Sequence, residues 1–176
     1  MGGLLAEVGT PITRVFNDTG AGATGLDDSG YVLKLGASAV VLKATAGTAA
    51  YGIAYVDTKN VLYDGTTKYT AYEVTPEIAV IREGEADVRV ELHGNRTTAI
   101  DVGDIVAVAP TTAGTVAHWE DNTAQGTAFG AFTLANWMAA RSEIVGISEE
   151  YLVDTADPAD GSNKIHVRLQ FFGDES

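Results

Sequence analysis

Residues 86–94 read ADVRVELHG, and their alternation decides the fold class. Val88, Val90 and Leu92 fall on one side of an extended chain while Asp87, Arg89 and Glu91 fall on the other, the pattern of an antiparallel strand with one wet face. The preceding IREGEAD (81–87) reads as the turn that closes a hairpin. The same grammar runs outward from there. Upstream lie YVLKLG, SAVVLKAT, AAYGIAYVDT, KYTAYEVT and EIAVIRE; downstream lie DIVAVA, GTVAHW, SEIVGISEEYLV and KIHVRLQFFG. All are short, rich in Val, Ile, Tyr and Thr, and bounded by Gly, Asp, Asn or Pro. About ten short strands at this spacing predict an all-β protein, an antiparallel β-barrel or sandwich.

Three stretches depart from the pattern. TLANWMAARS (133–142) offers Thr133 as an N-cap, then Leu134, Trp137, Met138 and Arg141 at helical spacing. It predicts one short helix on the end of the barrel, with Trp137 and Met138 as core plugs. NDTGAGATGLDDSG (17–30) is rich in glycine and aspartate with a single large apolar side chain, the composition of a loop. Residues 1–30 therefore read as an N-terminal arm and linker, in which PITRVF (11–16) can form a strand against an open edge, and residues 31–176 read as a single β domain. In AIDVGDIVAVA (99–109) the DVGD segment predicts a tight turn, with Gly103 at positive φ and Asp101 and Asp104 bonding backbone amides. Pro110 then ends the strand and Gly114 starts the returning one.

Composition narrows the function. The 176 residues, 45% hydrophobic, suit one domain with its own core. Eleven Lys and Arg against 24 Asp and Glu give a formal charge of -13, which repels a phosphate backbone, so nucleic acid is not an expected partner. The absence of cysteine removes disulfides, thiolate metal sites and thiol nucleophiles. MGGLLAEVGTPITRVF has neither a basic n-region nor a long apolar core, and no stretch approaches a membrane span. The expectation is a product made and used in the cytoplasm or carried out of the cell within a larger assembly, without membrane association.

Catalytic signals are weak. His93, His118 and His166 each sit among alternating strand residues, without the HxH or HExxH spacing that holds two ligands on one face. There is no GxSxG and no GxxxxGK[ST]. GAGATG (20–25) lacks the strand before and the helix after that a dinucleotide site requires. The loop DTADPADGSN (154–163) carries Asp154, Asp157 and Asp160, weak metal candidates, but it lacks the EF-hand order and closing glutamate, so an acidic solvated turn is the simpler reading. No cofactor and no enzymatic activity are expected.

Where AIDVGDIVAV, AGTVAHW, EIVGISEE and KIHVRLQF follow one another, the chain resembles the small β-barrel proteins encoded beside the major capsid protein in tailed bacteriophages and related archaeal viruses. The matching positions are the Gly103–Asp104 turn, Gly114 and Val116 of the returning hairpin, Val145 and Gly146 of the next strand, and Val167 to Leu169 of the closing strand. The likeness spans residues 50–172; the Trp137 helix and the glycine-rich entry lie outside it. It implies a capsid decoration or cement protein on the virion exterior that stabilises the shell, often as a homotrimer. Its arm would contact the major capsid protein, through Ile12, Arg14, Val15 and Phe16 here. The alternative is a receptor- or glycan-binding module of a fibre or vertex, stacking sugars on Tyr51, Tyr55, Tyr63, Tyr69, Tyr72 and Trp119.

Overall fold

A computed structural model describes residues 12–16, 26, 28–55, 77–122, 133–159 and 161–172. These residues form an all-β sandwich. The strands are β1 (Ile12–Val15), β2 (Val32–Leu35), β3 (Val41–Lys43), β4 (Gly52–Tyr55), β5 (Glu77–Ile81), β6 (Glu85–Arg89), β7 (Ile105–Val108), β8 (Val116–His118), β9 (Ile144–Ser148) and β10 (Lys164–Leu169). A helix, α1 (Leu134–Ser142), precedes β9. The first sheet has the order β1-β5-β4-β2-β3 and the second β6-β10-β9-β7-β8, with every ladder antiparallel. Tyr63, the KYTAYEVT segment with Tyr69 and Tyr72, and Asp160 of the acidic loop lie outside the described residues.

The first sheet is buried on both faces. Val32, Ile53 and Ile81 face the second sheet and pack with Val88, Val106, Val116, Val145, Ile165 and Val167 in the main core. Leu33, Val41, Tyr51, Ile78 and Val80 face the other way and pack around Phe16 and Leu26. That double burial explains the near-continuous apolar runs of β2 and β4, where a half-buried strand would alternate. Each large aliphatic side chain removed from water contributes about 1.5–3 kcal/mol.

Each sheet curls until its outer strands touch at one point. Phe16 meets Val41 and Val90 meets Val116 in isolated parallel bridges. β3 and β8 are three residues each, too short to extend those contacts into ladders, so among the described residues the sheets remain a sandwich and do not close as barrels.

Two local expectations are corrected. IREGEAD is not a hairpin turn: β5 pairs with β1 and β4, whereas β6 pairs with β10, so the segment is a corner that carries the chain from one sheet to the other. The amide of Leu169 donates to the Gly84 carbonyl at 2.8 Å and draws the corner onto β10. The alternation of 86–94 holds for buried Ala86, Val88 and Val90 and then inverts, leaving Glu91 buried and Leu92 exposed. The cause is the bridge from Val90 to Val116, after which the backbone turns through a 3-10 segment at His93–Asn95.

The helix starts as expected, with the Thr133 hydroxyl accepting from the amide of Asn136 at 3.1 Å. Its side chains do not plug the core. Leu134 and Met138 are 69% and 60% exposed, Trp137 is half-buried, and Ala140 is the one helical residue that is fully buried. Arg141 lies over both the Trp137 ring (5.3 Å) and the Phe172 ring (4.3 Å), so cation–π contact with the C-terminal segment replaces the expected insertion.

Candidate functional site

The DVGD turn forms, with the Asp104 carboxylate rather than both aspartates bonding a backbone amide. Gly103 has φ +96°, the amide of Asp104 donates to the Asp101 carbonyl at 3.0 Å, and the Asp104 carboxylate accepts from the amide of Asp101 at 2.8 Å. Asp104 also lies 3.4 Å from Nε2 of the buried His118, tying the turn to β8. Gly114 joins the two sheets: its amide donates to Ala44, and its carbonyl accepts from Val32. Gly146 sits where β9 crosses β10. A Cβ there would stand 2.2 Å from the Arg168 carbonyl oxygen, so only hydrogen fits.

Residues 12–16, read as part of an arm, are engaged within the chain. Ile12 to Val15 pair with Val80 to Glu77, Ile12 packs against the second core cluster, and Phe16 is 2% exposed inside it. Nε of Arg14 donates to the Tyr51 hydroxyl at 3.1 Å, and its guanidinium lies 5.9 Å from that ring. β1 is an outermost strand of the first sheet, so its backbone still presents one edge that β5 does not use.

The loops at one end of the second sheet are knitted by charged side chains. Glu91 is fully buried and accepts from the amide of Thr112 at 2.7 Å through Oε1, while Oε2 has no hydrogen-bond partner; burial pushes its carboxyl above the ordinary range. Arg96, also buried, donates to the Ala156 carbonyl and lies 3.7 Å from Asp157. Burial lowers the pKa of its guanidinium, against the pull of Asp157. Asp157 accepts from the backbone amide of His93 at 2.7 Å and faces its Nδ1 at 2.9 Å. Asp121 accepts from the amides of Thr97 and Thr98 at 3.1 and 3.3 Å and from their hydroxyls at 2.6 and 2.7 Å. Desolvation disfavours the charged forms of Asp157 and Asp121, but these hydrogen bonds prevail and hold both carboxyls below their ordinary range.

A second buried acid, Glu143, ends α1. Its Oε2 accepts from the amide of Gly47 and from Nδ2 of Asn122, each at 2.9 Å, and Nδ2 of Asn122 also donates to the Val108 carbonyl. On the wet face of β6 and β10, His166 lies 3.0 Å from Asp87 and 3.2 Å from Glu85. The hydrogen bond with Asp87, assisted by Glu85 and opposed by desolvation, raises the pKa of the imidazole. Chemically these acids act as acceptors that fasten loops and strands to one another. Sequence reasoning missed Glu91, Arg96, Asp121, Asn122 and Glu143; the available signal was an acid set directly against apolar strand residues, as in RVELHG and SEIVG.

Of the acidic-loop candidates, Asp157 is engaged with His93 and Arg96, Asp154 is exposed, and among the described residues no three His, Asp or Glu side chains gather to hold a metal ion. Tyr51 is 3% exposed and Tyr55 packs against the main core, while Trp119 is half-buried beside His118. Tyr51 therefore serves packing and offers no open stacking face, and Tyr55 is partly buried. Among the described residues no helix is long and apolar enough to cross a membrane.

No protein-family model matches the chain, and no curated protein is similar to it. A solved structure described as the capsid of Myoviridae phage XM1 is similar over 98% of this chain and 88% of that chain, with 17% identity and a TM-score of 0.48.

Proposed function

We propose that this chain is a virion structural protein: a decoration or cement protein that binds the outside of the major capsid protein shell and stabilises it, working as a trimer. The observation that carries the reading is the placement of the four segments that resemble such proteins. AIDVGDIVAV, AGTVAHW, EIVGISEE and KIHVRLQF supply β7, β8, β9 and β10 of one sheet. Two further features support it. A formal net charge of -13 disfavours contact with packaged nucleic acid. The many ties between loops suit a protein that must hold its shape under load rather than open around a substrate, and we read the chain as a non-enzyme. Shell contact through Ile12, Arg14 and Val15 would use the outer edge of β1 as a site of strand addition, with Phe16 as its internal anchor.

Quantitative mass spectrometry of gradient-purified particles from the source tests the reading. A copy number comparable with the major shell protein is expected. A handful of copies per particle would favour the fibre or vertex alternative, and absence from particles would overturn both. An arm truncation should stop at residue 11, because a longer one removes β1 and Phe16 from the fold itself.

A further inference from the structure

We infer that copies of this chain meet head to tail, the exposed face of α1 on one copy against the Asp101–Asp104 end of the second sheet on the next. Single exposed apolar residues such as Leu35 and Leu92 are ordinary, but among the described residues the other five exposed large apolar side chains fall in two places of opposite charge character. On α1, Leu134 and Met138 are exposed one turn apart beside half-buried Trp137, and the one charge on the helix is the cation Arg141. Residues 123–142 contain no acid, although the chain carries 24. At the other place Val102 and Tyr151 are 63% and 61% exposed and Ile105, also exposed, pairs with Ile147. Asp101 and Glu150 are exposed next to Val102 and Tyr151 in the chain, and Glu149 is half-buried and paired with Arg168 at 3.5 Å.

The two patches lie at opposite ends of β9. Glu143 follows α1 and leads directly into the strand, whereas Ser148, its last residue, accepts the amide of Gly103 from the turn. A five-residue strand spans about 17 Å, so the patches do not cover each other within one chain. Pairing either patch with itself would bring like charges together. Pairing one with the other buries apolar surface on both sides and sets Arg141 against carboxylates, which selects a second copy in a heterologous contact. This inference does not rest on shell binding.

Sedimentation velocity on the purified full chain, at roughly 1 to 100 µM, tests it with two complementary variants. L134E/M138E destroys the helix patch and leaves the turn patch; V102E/I105E does the reverse. The expectation is association of the wild type, monomers for each variant alone with the dissociation constant raised at least tenfold, and a dimer when the two are mixed. Far-UV circular dichroism checks the folds, and if either variant is unfolded, L134S/M138S or V102S/Y151S takes its place. A monomeric wild type, association of either variant alone at wild-type strength, or a mixture that stays monomeric would overturn the proposal. A monomeric wild type would also count against the trimer, but none of these results bears on shell binding or on the copy number in particles, so those readings fail separately.

Discussion

Gly146 and Gly103 are both glycines for steric reasons, but the reasons differ and so do the consequences of replacing them. At Gly146 a methyl group would run into the backbone of β10, which cannot yield without breaking the β9–β10 ladder. Gly146→Ala is expected to cost about 3 kcal/mol or more. At Gly103 nothing lies within 4 Å and the obstacle is the positive φ alone, so Gly103→Ala should cost only about 1–2 kcal/mol. Urea denaturation of the two variants side by side checks the ranking. The reverse order would mean that β9 and β10 are less closely apposed than described.

Among the elements, β1 and α1 contrast in how firmly they are held. Phe16 fixes the end of β1 in the second core cluster, so Phe16→Ala should lose about 3–5 kcal/mol of global stability, measured by chemical denaturation. Loss below about 1 kcal/mol would show that β1 docks weakly. Helix α1 buries little beyond Ala140, and Thr133→Ala should remove about 1 kcal/mol of local helix stability. The effect should be visible as faster hydrogen exchange confined to residues 134–142. The same two elements show what the sequence could tell. Strand identity was legible wherever β-branched residues met turn chemistry, and the N-cap announced α1 to within a residue. The partner of each strand was not legible: IREGEAD has the composition of a hairpin turn, and only the pairing of β5 with β1 and β4 and of β6 with β10 makes it a corner between sheets. Likewise PITRVF predicted a strand correctly, but nothing local says that its edge is supplied by residues 77–80 of the same chain. The buried acids escaped notice because Glu91 continues a perfect alternation, and its burial follows from a bridge made to Val116, far along the sequence.

For the molecule as a whole, the titrating groups combine into one pH profile. His166 has a raised pKa, so its interaction with Asp87 and Glu85 is fully present below the ordinary histidine value of 6.5 and is lost as pH rises through the folded value. Glu91, also raised, binds its proton more tightly when folded and therefore acts in the same direction, disfavouring the fold as pH rises. Asp121 and Asp157 are lowered from 3.8, so their contribution is present above that value and is lost as pH falls through the folded one. Thermal stability should peak in mildly acid solution and decline on both sides. His166→Gln should flatten the decline above the ordinary histidine value of 6.5, and Glu91→Gln the decline that sets in above the ordinary carboxyl value of 4.5, each leaving the acid decline in place. A Tm that climbs steadily to pH 8 in the wild type would contradict this assignment.

The pairing of Ile12 with Val80 carries a consequence for how the protein is made. Synthesis runs from the N-terminus, so β1 leaves the ribosome well before β5 and lacks its ladder partner until residues 77–80 have also emerged. The first sheet therefore cannot mature strand by strand from its leading edge. Its β2–β3 and β2–β4 pairings are closer in sequence than the β1–β5 ladder, so slow folding governed by that distant contact is the expected kinetic signature.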